Sequence, residues 1–88
     1  MNDIIFAPAA LAEYMAWQNE DRKTLKKINE LIKDIHRNGL LEGIGKPEAL
    51  QNVKAYSRRI DEKNRLIYTG DANNNLRIIS CKGHYEDK

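Results

Sequence analysis

The spacing of the apolar residues changes once along this chain, and that change limits the folds open to it. Leu25, Ile28, Leu31, Ile32 and Ile35 recur at helical spacing, with Arg22, Lys23, Lys26, Lys27, Lys33 and Asp34 at the other positions. The segment from about Asp21 therefore reads as an amphipathic helix. Asn38-Gly39 supplies the residue types that end one. From residue 55 the pattern becomes that of strands. Residues 55–60, 65–69 and 76–81 are separated by Asp61-Glu62-Lys63-Asn64 and by Gly70-Asp71-Ala72-Asn73-Asn74-Asn75, both rich in turn formers. A three-strand antiparallel meander is predicted.

Ahead of the helix, Ile4-Ile5-Phe6 reads as a first strand, and Pro8 suits the first turn of a further helix. Leu11, Tyr14, Met15 and Gln18 mark the inward face expected of that helix, and Asn19-Glu20-Asp21 breaks it. The two helices are expected to form an antiparallel hairpin. The segment from Leu40 to Asn52 holds two glycines and a proline without a sustained period, and reads as a loop. The order of one strand, a two-helix hairpin and three strands gives an α+β fold, with the helices on one face of the sheet. Eighty-eight residues suit one domain, residues 1–88.

Charge is uneven along the chain. Residues 1–42 carry six basic and seven acidic groups, whereas residues 43–85 carry eight and four. The basic second half suits a polyanion, and an ordinary solvated basic face accounts for the same count. The lone Cys81 cannot form an internal disulfide, the first residues lack the pattern of a secretory signal, and no segment is apolar enough to cross a bilayer. A cytoplasmic protein without a membrane partner is expected.

The strands carry Arg58, Arg59, Arg65 and Arg77. If the turn spans Asp61 to Asn64, Ile60 opposes Arg65. Arg58 and Arg65 then share one face, with Arg59 and Leu66 on the other. Lys46 and Glu48 stand in the loop, and His84 follows the last strand. His36, near the end of the second helix, is explained by the helix dipole. Two His and one Cys without close spacing do not make a zinc site, and neither a phosphate cradle nor a Ser-His-Asp set is present. Acid–base chemistry without metal or cofactor remains. RNA permits it, because its 2′-hydroxyl is a built-in nucleophile. Glu, His and Arg fit base, acid and electrophile in that order. An ordinary carboxylate is a weak base at neutral pH, so slow action on free RNA is expected.

Several motifs then carry a resemblance over nearly the whole chain. They are Tyr14-Met15-Ala16-Trp17-Gln18, residues 26–35, Gly43-Ile44-Gly45-Lys46-Pro47-Glu48-Ala49-Leu50, Tyr56-Ser57-Arg58-Arg59-Ile60, Asn64-Arg65-Leu66-Ile67-Tyr68 and His84-Tyr85. In these the chain resembles the YoeB/Txe toxins of the RelE-like superfamily, from type II toxin–antitoxin systems. The resemblance implies a RelE-like sheet and a ribosome-dependent mRNA endoribonuclease (an mRNA interferase) acting on mRNA in the decoding site of the 70S ribosome. It implies Glu48 as general base, His84 as general acid, Arg65 on the phosphate and Tyr85 shaping the site. Lys46 and Arg59 are expected on the RNA backbone, and Arg58 is expected beside them. A YefM-like antitoxin is the implied inhibitor, operator DNA is bound only through the toxin–antitoxin complex, and a homodimer is open. This chain continues past Tyr85 through Glu86-Asp87-Lys88. Two other classes stay open at this stage: a ParE-like toxin that poisons gyrase without catalysis, and a small basic nucleic-acid-binding module.

Overall fold

The side chain of Asp21 divides the helical part of the chain in two. Its backbone N–H bonds the Trp17 carbonyl at 3.0 Å and closes helix α1, Pro8–Glu20. One of its carboxylate oxygens accepts from the N–H groups of Lys23 (3.0 Å) and Thr24 (3.2 Å), which opens helix α2, Arg22–Asn38. Those two bonds satisfy donors that a helix N-terminus otherwise leaves orphaned. The Asp21 carboxyl is held below its ordinary range, chiefly by the Thr24 N–H and hydroxyl. Tyr14 donates to the Asn29 side chain, so α2 folds back along α1.

The computed structural model describes residues 1–83; His84 and Tyr85 lie outside the described residues. Around the helices are β1 (Ile4–Phe6), β2 (Glu48–Ala49), β3 (Tyr56–Arg59), β4 (Arg65–Gly70) and β5 (Leu76–Ser80). They form a mixed sheet in the order β1-β5-β4-β3-β2, with β1 parallel to β5 and the other pairs antiparallel. The expected α+β architecture is present with one strand more than predicted. Strand β2 falls inside the segment read as a loop, where Glu48 pairs with Ser57 and Ala49 with Tyr56. Two residues are too few to leave an alternation in the sequence. No helix among the described residues is long and apolar enough to cross a membrane.

Helix α2 buries Ile28, Leu31, Ile32 and Ile35 against the sheet, each contributing roughly 1.5–3 kcal/mol by leaving water. Helix α1 turns inward a face that shares only Tyr14 with the one predicted. Ala10 and Trp17 are buried, while Leu11 and Met15 stay 45% and 57% exposed. The indole N–H needs an acceptor once buried, and it finds the Cys81 carbonyl at 2.9 Å. Glu13, on the same side, accepts from the Cys81 N–H at 2.8 Å. These two polar contacts set the rotation of α1.

The β3–β4 register also differs from the expectation. Arg59, not Ile60, stands opposite Arg65, and Arg58 stands opposite Leu66. The cause is the turn. Asp61 accepts from the N–H groups of Lys63 (2.8 Å) and Asn64 (2.7 Å), and the Ile60 N–H bonds the Asn64 carbonyl at 3.0 Å. Asn64 thus takes the place predicted for Arg65. A slip of one residue exchanges the faces of every side chain, so Arg58 joins the helix-covered face and Arg59 joins Arg65 on the other.

Candidate active site

The face of the sheet away from the helices gathers most of the predicted residues. Glu48 lies opposite Ser57 and Arg59 opposite Arg65, on adjoining pairs of strands. Lys46 precedes Glu48 by two residues with a positive φ of 53°. Together Lys46, Glu48, Ser57, Arg59 and Arg65 line a cleft of about 50 Å³. Three cations surround one carboxylate there, giving a site that attracts anions while keeping a base within it.

The loop before β2 is held close to the sheet by its backbone. The Arg59 N–H bonds the Gly45 carbonyl at 2.7 Å. Gly45 has a φ of 83°, and a Cβ there would lie 2.7 Å from a methyl of Leu31; at Gly43, φ 116°, it would lie 1.8 Å from an Asp34 oxygen. Both positions need glycine for conformation and for space. The glycines of the Gly43–Gly45 segment therefore let the chain pass close to Asp34 and Leu31 and bring Lys46 and Glu48 to the sheet.

Arg58 does not belong to the cleft, which corrects the expectation that it contacts RNA. It is fully buried on the helix side. Its guanidinium donates to Asp34 (2.6 Å), to the carbonyls of Ile44 (2.9 Å), Gly39 (2.9 Å) and Glu42 (2.6 Å), and to the Tyr68 hydroxyl (2.9 Å). The Tyr68 hydroxyl in turn donates a hydrogen bond to the Leu40 carbonyl at 2.6 Å. Arg58 is thus the hub around which residues 39–44 wrap, and those residues lead into Lys46 and Glu48. Burial alone would raise the Asp34 carboxyl, but the Ile44 N–H and the Arg58 guanidinium outweigh it and hold the group below its ordinary 3.8.

The cleft side chains are differently disposed. Among the described residues Arg65 makes one side-chain bond, to the Asp61 carbonyl at 3.1 Å, which engages only one nitrogen of its fork. Among the described residues the side chains of Lys46, Glu48, Ser57 and Arg59 make no hydrogen bond or ion pair. The Arg65 N–H bonds the Gly83 carbonyl at 3.0 Å, and the Gly83 N–H bonds the Asn64 side chain at 2.8 Å. The residue before His84 is therefore tethered beside the cleft. Among the described residues no group of three or more His, Cys, Asp or Glu is placed to hold a metal ion. Reasoning from the sequence did not single out Asp34, Tyr68 or Ser57. The signal for Arg58 was present, since Tyr56 and Ile60 flank it at the strand period.

Residues 6–85 match the model of a family described as YoeB-like toxin of bacterial type II toxin-antitoxin system. Toxin YoeB of Synechocystis sp. is 47% identical over 85 residues, covering 94% of this chain and 96% of that protein. Two solved structures from Staphylococcus aureus superpose closely. One, a YoeB dimer, gives a TM-score of 0.87 at 54% identity, covering 94% of this chain and 97% of that one. The other, a heterotetrameric YoeB-YefM toxin-antitoxin complex, gives 0.86 at 53% identity with the same coverages.

Proposed function

Because the chain belongs to the YoeB-like toxins of bacterial type II toxin–antitoxin systems, we propose that it acts as a ribosome-dependent mRNA endoribonuclease. The observation that carries this reading is the unspent bonding capacity of the cleft: a carboxylate, a lysine and two arginines on one open sheet face. Glu48 takes the proton of the 2′-hydroxyl. The freed 2′-oxygen attacks the adjacent phosphorus, and the bond to the departing 5′-oxygen breaks as His84 returns a proton to it. The products are a 2′,3′-cyclic phosphate and a 5′-hydroxyl. One proton is taken up and one is given, so the enzyme needs no further reactant within the cleavage step.

During that step negative charge builds on the non-bridging oxygens. Arg65 meets it with a fork suited to phosphate geometry. Arg59, opposite Arg65, and Lys46, which also lines the cleft, hold the flanking backbone, and Tyr85 is assigned to shaping the same site. The tether of Gly83 to Arg65 and Asn64 supports the assignment of His84, the next residue, to this step. Positioned acid and base groups each contribute on the order of 10²–10⁴ in rate. The ribosome supplies the alignment of the 2′-oxygen, phosphorus and leaving oxygen on which a weak carboxylate base depends. A YefM-like antitoxin, as in the S. aureus complex, is the inhibitor, and a homodimer like the one solved for S. aureus YoeB is the free form.

The test is to translate a defined mRNA with the protein and map 5′ ends at ribosomes stalled with each codon in the decoding site. Cuts are expected from the wild type and none from a Glu48→Ala, His84→Ala double variant. Undiminished cutting by that variant overturns the assignment.

A further inference from the structure

We propose that Ser57 is an additional catalytic residue, whose hydroxyl donates a hydrogen bond to a non-bridging oxygen of the scissile phosphate alongside Arg65. The inference rests on the ribonuclease reading above. Ser57 is only 7% exposed, yet it lines the cleft. It stands directly opposite Glu48 across β2–β3, a pairing that brings Cβ atoms to within about 5 Å. Its same-face neighbour along β3 is Arg59, which faces Arg65.

Across β3–β4, Ser57 is opposite Ile67, which is 4% exposed. Ser57 is therefore a neutral donor among the charged residues that line the cleft, with the Glu48 carboxylate on one side and the apolar Ile67 on the other. Its hydroxyl makes no hydrogen bond among the described residues, and its oxygen is not sealed off from the cleft. A withdrawn hydroxyl ordinarily has a partner, and a methyl group at this position would avoid the cost of desolvating a polar atom. The arginines and Lys46 attract a phosphate by charge. A short neutral donor beneath it adds a directional bond that strengthens as the oxygens gain charge. The Ser57 proton stays on its oxygen throughout: Glu48 still receives the 2′ proton and His84 still supplies the leaving-group proton.

The experiment compares wild type and Ser57→Ala on an mRNA with one cleavage codon in the decoding site. Each phosphorothioate diastereomer at the scissile position is tested in parallel. We expect kcat to fall about 100- to 1000-fold in Ser57→Ala, as for loss of one donor to a developing oxyanion, with KM little changed and the melting temperature retained. Sulfur accepts hydrogen bonds poorly, so one diastereomer slows the wild type; that slowing disappears in Ser57→Ala and persists in Ser57→Thr, which keeps the hydroxyl. Ser57→Ala cutting at the wild-type rate, or losing rate with the thio effect intact, overturns the role of Ser57. A wild type that makes no cut overturns the ribonuclease reading itself.

Discussion

Arg58 and Arg59 are neighbours in the chain and opposites in use. The first points toward the helices and spends its guanidinium on five protein acceptors. The second points to the open face and makes no side-chain bond among the described residues. The same contrast separates the two sides of the sheet: donors and acceptors are matched beneath the helices and left available in the cleft. Matched polar groups fix a structure, and unmatched ones on a rigid support bind something else. The two sides are linked, because the loop that Arg58 holds carries Lys46 and Glu48.

The largest effect is expected on the matched side. Arg58→Ala leaves Asp34 charged without its partner and strips donors from three loop carbonyls and a tyrosine. Breaking one half of a buried pair costs about 3–5 kcal/mol, a large part of a small domain's stability. Denaturant unfolding should show a drop of that size. A loss below about 1 kcal/mol would place Arg58 among the solvated arginines and erase the contrast. Arg65→Ala should behave in the opposite way. Its loss removes one exposed bond to the Asp61 carbonyl, so melting should shift by no more than a few degrees, in keeping with about 0.5 kcal/mol for a surface substitution. Cleavage in the ribosomal assay should fall about 10²- to 10³-fold. Comparable damage to folding would make Arg65 a structural residue.

How far the sequence revealed these two sides depended on which physical pattern carried each feature. The α2 stripe, the stop at Asn38-Gly39 and the three meander strands are repeated signals, and each was found within a residue or two of its place. The face on which each arginine lies hangs on a single count in one turn. Residues 61–64 can close with either Arg65 or Asn64 opposite Ile60, and the Asp61 side chain decides between them. The inward face of α1 likewise follows from Trp17 and Glu13 reaching Cys81, contacts between residues more than sixty positions apart. In the cleft, Lys46, Glu48, Arg59 and Arg65 were identified by resemblance and are adjacent in space. Ser57 was overlooked because a lone serine in a strand carries no pattern.

A smaller effect is expected from acid. The Asp34 carboxyl titrates below its ordinary 3.8 in the folded chain. A depressed carboxylate binds fewer protons folded than unfolded, so its contribution is complete above about pH 4 and is lost as pH falls through the folded value. Urea midpoints followed from pH 6 down to pH 2.5 should therefore decline. Asp34→Asn should start from a lower midpoint and decline less steeply. Part of the slope should remain, because Asp21, Asp61 and Asp71 are also held low by hydrogen bonds. If Asp34→Asn keeps the full wild-type slope, the Asp34–Arg58 pair is not what acid breaks on the matched side.

The smallest effect concerns Cys81, which belongs to the matched side although it lies two residues from the Gly83 tether. Burial, and then the nearby Glu13 charge, push its thiol from 9.0 up to about 12, and its sulfur lies 3.7 Å from the Ala10 carbonyl. At pH 8 that lowers the thiolate fraction roughly a thousandfold relative to a free thiol, and the thiolate is the nucleophile. Iodoacetamide should leave the native chain unmodified and label it promptly in urea, with the rate tracking unfolding. Arg58→Ala should label faster in native buffer and Arg65→Ala should not, because loosening the matched side opens the core while emptying the cleft does not. Equal labelling of the two variants would show that the sheet does not keep its two sides independent.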